Sequence, residues 1–289
     1  MIHPFLRALP LLPRLATAGC AAALLIPATP AQAMPNARHY GGIPMVGAFF
    51  TNSADVGSGR TQCTGSVVHS PTRDLVLTAG HCAGSLNAAH HAVFVPQYRF
   101  GTSAAHQPHG VYPVRQAFTD PRYTPNSRGR DSDLDIAFVR VGPAAGHAVE
   151  DRTGSLTLTA TPAPPIRSVT MVGYPGSAAV NPHHSPVTCT TSAGRLPGFD
   201  QLKVVCGGYY GGTSGGPLIT GYRGSSRTGS VVGEIGGYNG GGDNRNDHWI
   251  SYSPMFGQDA FDLYQDAVEG VTPYPPLPYP TPAGIGGGW

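Results

Sequence analysis

One serine in the C-terminal half of the chain is surrounded by an unusual number of glycines. The segment "GGYYGGTSGGPLI" runs from Gly207 to Ile219, and Ser214 is the serine among its six glycines. Glycine is costly to order, so this density indicates close backbone approaches that a side chain would prevent. A serine hydroxyl is a weak nucleophile at neutral pH unless a base takes its proton. The chemistry of Ser214 therefore depends on which other residues lie beside it.

A histidine and an aspartate upstream are suited to assist such a serine. His81 follows the apolar run in "LVLTAGHC", and Asp135 heads the apolar run in "DSDLDIAFVR". A carboxylate beside "IAFV" is costly to bury unless it is paired, and an imidazolium is a suitable partner. Asp131 and Asp133 fit a solvated acidic turn better than Asp135 does. For His81 alone, a hydrogen-bonded core histidine is an equally good interpretation.

Together these residues predict a catalytic triad of His81, Asp135 and Ser214. Imidazole takes up and releases protons near neutral pH, and a carboxylate fixes its tautomer and stabilises the imidazolium. Attack on a carbonyl group places negative charge on its oxygen, which backbone N–H groups must reach without side chains in the way. The amides of Gly212 and Ser214 are the natural donors to this oxyanion, which explains the glycines around the serine.

Short apolar runs bounded by Gly, Pro and Ser follow one another from Val46 onward, which is typical of β-strands joined by turns. Charged residues make up only 12% of the chain, while hydrophobic residues make up 40%, enough for a substantial core. The segment 257–270 alone has convincing helical spacing, with Phe261, Tyr264 and Val268 on one face. We expect an all-β fold, a barrel or a pair of barrels closed by a C-terminal helix.

The two ends of the chain differ in composition from the middle. Residues 1–33 combine positive charge, an apolar run and an "AQA" cleavage site, which predicts a signal peptide and a secreted protein. Prolines interrupt the run, which disfavours a membrane-spanning helix, and the run continues past Cys20, which disfavours a lipoprotein. We expect no stable membrane insertion after signal cleavage. Residues 34–44 are predicted to be a short, ill-ordered leader or propeptide, 45–269 the folded domain, and 270–289 a disordered tail rich in Pro and Gly.

Removal of the signal peptide leaves four cysteines, Cys63, Cys82, Cys189 and Cys206. An even number in an exported chain favours two disulfides, for which three pairings exist. The sequence has no C-x-x-C spacing, so we expect no metal site. The formal net charge of +2 and the lack of a basic cluster argue against nucleic acid as a partner.

The segments "TAGHC", "DIAF" and "GTSGGP", which carry His81, Asp135 and Ser214 in that order, resemble the trypsin/chymotrypsin-like serine peptidases. The longer segment "CTGSVVHSPTRDLVLTAGHC" is similar to the bacterial secreted branch, and the likeness spans roughly residues 45–265. The resemblance implies two six-stranded antiparallel Greek-key barrels with the site in the cleft between them. It also implies a peptide or protein substrate, an acyl-enzyme and no cofactor, and we expect a monomer. The disulfides that it implies join Cys63 to Cys82 and Cys189 to Cys206.

By the same resemblance, the pocket for the substrate side chain has an uncharged base at Gly208. Its wall comes from "VGEIGGY", Val232 to Tyr238, in which Ile235, Gly236, Gly237 and Tyr238 are the predicted pocket residues. The uncharged base argues against selection of Arg or Lys, and Glu-selective bacterial relatives have a histidine where this chain has Ile235. The resemblance therefore implies a neutral, apolar pocket with Glu234 and Tyr238 as modifiers. The chain has "MVGAFF" instead of an "IVGG" start, so activation by insertion of a freed N-terminus is not expected.

Other interpretations of the glycine-rich segment fit the sequence less well. "GTSGG" matches the nucleophile elbow of an α/β-hydrolase esterase, and Asp243 and His248 follow it, but Pro217 and "LIT" predict a strand where that elbow needs a helix. A phosphate loop needs G-K-[ST] after the glycines, and a flexible loop leaves His81 and Asp135 unexplained. A catalytically inactive binding protein on a peptidase scaffold stays open, because a fold does not imply an activity. The sequence thus predicts a secreted serine endopeptidase.

Overall fold

Short β-strands joined by turns make up most of the chain. The structure is a computed structural model that describes residues 34–223, 227–242 and 248–273. These residues form fourteen strands. The strands are β1 (Arg38–His39), β2 (Val46–Phe50), β3 (Cys63–Val67), β4 (Leu75–Thr78), β5 (Val93–Pro96), β6 (Tyr112–Thr119), β7 (Ala137–Val141), β8 (Thr157–Leu158), β9 (Ile166–Gly173), β10 (Val187–Arg195), β11 (Gln201–Val205), β12 (Pro217–Arg223), β13 (Thr228–Glu234) and β14 (Ile250–Pro254). The predicted signal peptide and residues 274–289 of the predicted tail lie outside the described residues.

Strands β2 to β7 close into a barrel in the order β2-β3-β4-β7-β6-β5. Every residue of β2, β3, β4 and β5 is buried. Aromatic side chains fill the interior, and the ring centroids of Phe49 and Phe94 lie 4.9 Å apart. Runs of aromatic and β-branched residues suit such strands because they pack well on a pleated, covered surface. The first predicted barrel is therefore confirmed.

The remaining eight strands form one sheet in the order β14-β11-β10-β9-β12-β13-β8, with β1 paired to β10. The neighbours are antiparallel except for β13 and β8, which are parallel. A second apolar core that includes Met171, Leu202 and Leu218 covers this sheet. The all-β fold with two β-units is confirmed, but the second unit has two strands more than the predicted six, because the short segments β1 and β8 also pair.

The N-terminal segment differs from the ill-ordered leader that the sequence predicted. Arg38 and His39 in β1 lie opposite Thr188 and Val187 in β10. Just before β1, two backbone hydrogen bonds of 2.8 Å join residues 35 and 37 to the amide and carbonyl of Gly207. Backbone groups that are paired in this way hold a short segment in place without an apolar pattern of its own. The assignment of residues 34–44 as a leader or propeptide stays a prediction.

Three α-helices accompany the strands within the described residues: α1 (Gly80–Ala83), α2 (Val149–Thr153) and α3 (Gln258–Glu269). Helix α3 confirms the predicted C-terminal helix, and its buried face includes smaller residues beside the predicted apolar stripe. The fully buried residues are Ala260, Leu263 and Ala267, at helical spacing, while Tyr264 and Val268 pack at the edge of the same face. None of the helices in the described ranges is long and apolar enough to span a bilayer.

Two disulfides join Cys63 to Cys82 and Cys189 to Cys206, as the resemblance implied. The first links the start of β3 to helix α1, and so fixes α1 against the barrel. The second links β10 to the residue after β11. The first disulfide therefore fixes the helix that carries His81, and the second fixes the start of the glycine-rich segment that carries Ser214.

Replacing both Cys63 and Cys82 with alanine is expected to lower the free energy of unfolding by about 3 kcal/mol. The bond connects residues 19 apart, and its loss gives the unfolded chain more conformational freedom. Urea unfolding followed by circular dichroism measures the effect. Replacement of Cys189 and Cys206, which are 17 residues apart, is the matched comparison and should cost a similar amount. A loss below about 1 kcal/mol in the first variant contradicts the expectation.

Candidate active site

His81 and Asp135 lie just beyond the adjacent ends of two neighbouring barrel strands. Strands β4 and β7 are antiparallel, and Thr78 at the end of β4 lies opposite Ala137 at the start of β7. His81 follows β4 within helix α1, and Asp135 precedes β7 after a 3₁₀ turn at Arg130–Leu134. Antiparallel neighbours place the end of one strand beside the start of the other. The two side chains therefore meet at one edge of the barrel.

The Asp135 carboxylate holds both the backbone and the ring of His81. The Nδ1 atom of His81 lies 2.9 Å from Oδ2 of Asp135, and the backbone N–H of His81 donates to Oδ1 at 2.7 Å. The backbone N–H of Gly237 donates to Oδ2, also at 2.7 Å. The Asp135 side chain is fully buried, and the His81 side chain is 16% exposed. A carboxylate held in this way orients the imidazole and leaves Nε2 for a reacting group.

Two glycines in the left-handed region shape the turn around Ser214. Gly212 has a φ of 97° and Gly215 a φ of 79°, conformations that side chains disfavour. A side-chain carbon at Gly215 would lie 2.9 Å from the backbone nitrogen of Ala79. The turn therefore packs directly against the end of β4, two residues before His81, and the second sheet brings Ser214 to the same barrel edge.

The Ser214 hydroxyl makes no hydrogen bond to another described residue, His81 included. Catalytic hydrogen bonds of this kind are often long without substrate and tighten when it binds. Within the described ranges, the amides of Gly212 and Ser214 also donate no hydrogen bond to the protein. The carbonyl of Gly212 accepts a bond from the Thr64 hydroxyl at 2.9 Å, which fixes this part of the turn. Both amides can therefore donate to a ligand oxygen.

Comparison with sequence models of protein families matches residues 37–252 to the family described as Trypsin. The chain belongs to the trypsin family. No curated protein sequence matches this trypsin-family chain significantly. The closer likeness to the bacterial secreted branch stays a prediction.

Solved structures share the fold of this trypsin-family chain. The protease Anisep from Arthrobacter nicotinovorans has a TM-score of 0.64 and 23% identity, over 81% of this chain and 99% of that one. The thermostable serine protease AL20 from an extremophilic microorganism has a TM-score of 0.60 and 24% identity, over 78% and 97%. A mutant of human heparin binding protein has a TM-score of 0.55 and 14% identity, over 86% and 100%. Identities this low show the fold, so the chemistry must be argued from this chain's own residues.

A cavity of about 200 Å³ opens beside Ser214 in the trypsin-family chain. Ile235 lines it, whereas the other predicted pocket residues, Gly208, Gly236, Gly237 and Tyr238, do not. The remaining described residues in its lining are Tyr209, Tyr210, Gly211, Thr213, Asn239, Gly240, Gly241, Gly242 and Ser251. The predicted pocket residues and this cavity therefore share Ile235, and the predicted pocket stays a prediction.

Other contacts occupy the predicted pocket residues that do not line the cavity. A side-chain carbon at Gly208 would lie 3.2 Å from the side chain of Ala37, so the N-terminal segment covers that position. The backbone N–H of Gly237 donates a hydrogen bond to Asp135 Oδ2. The run Gly240–Gly242 also lines the cavity, and the sequence prediction did not include it although consecutive glycines allow a close approach to the backbone.

The other two aspartates of the "DSDLD" segment have partners away from the histidine. Asp131 accepts a hydrogen bond from the Ser127 hydroxyl at 2.5 Å, and this bond lowers the pKa of the Asp131 carboxyl. Asp133 accepts a hydrogen bond from the Gln201 side-chain amide at 2.8 Å. Of the three, Asp135 is the aspartate that contacts the imidazole.

One group of potential metal ligands lies at the site. The ligand atoms of Cys63, Cys82 and His81 lie within 4.8 Å of one another. Both sulfur atoms belong to the disulfide, and only a thiolate is a good metal ligand. The cluster therefore fits a disulfide beside a histidine better than it fits a metal site.

Proposed function

We propose that this trypsin-family chain is a secreted serine endopeptidase that hydrolyses peptide bonds through Ser214, His81 and Asp135. The observation that carries the proposal is the pair of hydrogen bonds from His81 to the buried Asp135, at the barrel edge against which the Ser214 turn packs. Membership of the family supports a peptide or protein substrate. The two disulfides and the predicted signal peptide support secretion.

In the proposed reaction, Ser214 Oγ attacks the carbonyl carbon of the peptide bond while His81 Nε2 takes the hydroxyl proton. Asp135 holds the ring by Nδ1 and stabilises the imidazolium. The amides of Gly212 and Ser214 donate to the oxyanion of the tetrahedral intermediate. His81 then gives its proton to the leaving amine, which yields an acyl-enzyme. A water molecule then attacks the acyl carbon while His81 takes its proton, the bond from that carbon to Ser214 Oγ breaks, and His81 returns the proton to the serine oxygen.

The cavity beside Ser214 supports a neutral side chain on the acyl side of the cleaved bond. None of the described residues in its lining is charged, and Ile235 and Tyr209 give it an apolar part. A buried charge on the substrate would have no opposite charge there to offset its desolvation. We therefore propose that substrates with Asp, Glu, Lys or Arg at this position are disfavoured.

A fluorophosphonate probe tests the proposed nucleophile. The purified secreted protein is expected to form a covalent adduct on Ser214, identified by peptide mass spectrometry, because the probe needs both an activated serine and oxyanion donors. The His81→Ala variant is the control and should not be labelled at a comparable rate. If the wild-type protein stays unlabelled, the proposal fails, and the inactive binding protein on a peptidase scaffold is favoured instead.

Cleavage of a mixed peptide library by the same protein tests the substrate class. We expect cleavage after neutral residues, measured by mass spectrometry of the products. Efficient cleavage after Arg, Lys or Glu contradicts the proposed pocket. That result would not contradict the proposed nucleophile, since labelling by the probe does not depend on the pocket.

A further inference from the structure

A glutamate with no visible partner is buried behind the proposed triad. Glu234 is the last residue of β13 and is fully buried. Neither of its carboxyl oxygens has a hydrogen-bond partner among the described residues. The sequence predicted Glu234 as a modifier of the substrate pocket. Ile235, the residue after β13, lines the cavity beside Ser214, whereas Glu234 is not among the described residues of its lining.

The Glu234 carboxyl occupies space that the glycine after Ile235 leaves free. A side-chain carbon at Gly236 would lie 2.5 Å from Oε1 and 2.9 Å from Oε2 of Glu234. The next residue, Gly237, donates its amide to Asp135 Oδ2 at 2.7 Å. The Glu234 carboxyl therefore supports the short backbone segment from which Asp135 receives a hydrogen bond.

Burial and charge both keep a proton on Glu234. Burial, and next the negative charge of Asp135, raise the pKa of the Glu234 carboxyl well above its usual range. The pKa of the Tyr123 hydroxyl is also raised, first by burial, then by Asp135 and to a smaller extent by Glu234. Asp135 and Tyr123 are thus the titratable groups that face Glu234, and His81 lies beyond Asp135.

We propose that Glu234 is a positioning residue for the Asp135–His81 pair that works only as the neutral acid, so that its ionisation at alkaline pH inactivates the enzyme. This inference rests on the proposed function. A neutral carboxyl fills the space beside Gly236 and lets Asp135 carry the single negative charge of the buried cluster. Repulsion from a second negative charge there would push the Asp135 carboxylate away from the Gly237 amide and from His81. The ring would then lose the orientation that leaves Nε2 for Ser214.

The pH dependence of fluorophosphonate labelling tests this role. For the wild type, the rate constant is expected to fall about tenfold per pH unit above the pKa of Glu234. The Glu234→Gln variant has a side chain of the same shape that cannot ionise, so its rate should stay high at alkaline pH. Glu269→Gln, at an exposed position in helix α3, is the matched control and should follow the wild-type profile.

The pH dependence of thermal unfolding tests the protonation of Glu234 without any need for activity. The pKa of this carboxyl is higher in the folded protein than its value of 4.5 in the unfolded chain. Its contribution to the free energy of unfolding is therefore complete below the unfolded-state pKa and is lost as the pH rises toward the folded-state pKa. The Gln variant should therefore match the wild type at about pH 4 and unfold at a progressively higher temperature than the wild type at higher pH. Glu234→Met, of similar volume, gives the same comparison if the Gln variant does not fold.

The outcomes separate this inference from the proposed function. If the wild type and Glu234→Gln are both labelled and their pH–rate profiles coincide, the positioning role is overturned while the peptidase assignment stands. A difference in unfolding temperature that does not change with pH shows that Glu234 is not held neutral, and it overturns the inference as well. If neither protein is labelled at any pH, the proposed function fails, and the inference fails with it.

Discussion

Replacing Ser214 with alanine is expected to lower kcat for peptide hydrolysis by about 10⁶-fold. The serine oxygen forms the acyl-enzyme, and alanine has no atom that can replace it. Some rate enhancement over uncatalysed hydrolysis should persist, because the oxyanion amides and the binding cleft stay in place. Hydrolysis of a peptide from the library screen, measured with enough protein to detect slow turnover, gives the value.

The fold should tolerate this change. The Ser214 carbonyl, which the substitution does not alter, accepts the backbone bond from Thr64 at 2.7 Å. The unfolding temperature should therefore stay near that of the wild type. Ser192→Ala, at an exposed position in β10, is the matched control and should keep full activity. If the Ser214→Ala protein keeps more than about 1% of wild-type kcat, Ser214 is not the nucleophile.

The parts of the site that the sequence predicted depend on local patterns of neighbouring residues. His81 and Asp135 each adjoin an apolar run, and a run that forms a buried strand fixes the residue at its end. The glycines around Ser214 predicted a backbone without side chains, and the positive φ angles of Gly212 and Gly215 agree with this. Such features could be recognised because a few neighbouring residues determine each of them.

The parts that the sequence did not predict depend on pairing between distant segments. Strand β1 has a polar sequence, and only its hydrogen bonds to β10 and its contacts near Gly208 give it a place in the second sheet. The orientation of Glu234 depends on the register of β13, since a shift by one residue exchanges the two faces of a strand. Ile235 was predicted as a pocket residue and Glu234 as a modifier of the pocket; Ile235 lines the cavity beside Ser214, whereas Glu234 is fully buried and is not among the described residues of that lining.

The sequence predicted helix α3 and part of its packed face. Of the predicted stripe, Tyr264 and Val268 pack against the core, and the residues buried beside them are Ala260, Leu263 and Ala267. Small residues allow the helix backbone to approach the barrel closely, and Tyr264 then packs at the edge against Phe138 with ring centroids 5.6 Å apart. Apolarity alone thus predicted the helix and two residues of its packed face, but not the small residues buried beside them.

Replacing Asp135 with asparagine is expected to lower kcat by about 10⁴-fold. The carboxylate accepts hydrogen bonds from the backbone and the ring of His81 and from Gly237. An asparagine amide group facing Nδ1 would favour the tautomer with the proton on Nε2, and that nitrogen could not then accept the proton of Ser214. Asparagine has the same shape, so the loss should appear in kcat with little change in the fold.

The Asp133→Asn variant is the matched control for this substitution, because it lies two residues away in the same segment. The Asp133 side chain accepts a bond from Gln201 at 2.8 Å through Oδ1, and an asparagine oxygen can accept it too. Its kcat should therefore stay within a few-fold of the wild type. If Asp133→Asn instead loses far more activity than Asp135→Asn, the orienting role belongs to Asp133. The geometry argues against that result, because Asp135 is the aspartate of this segment that contacts both the ring and the backbone of His81.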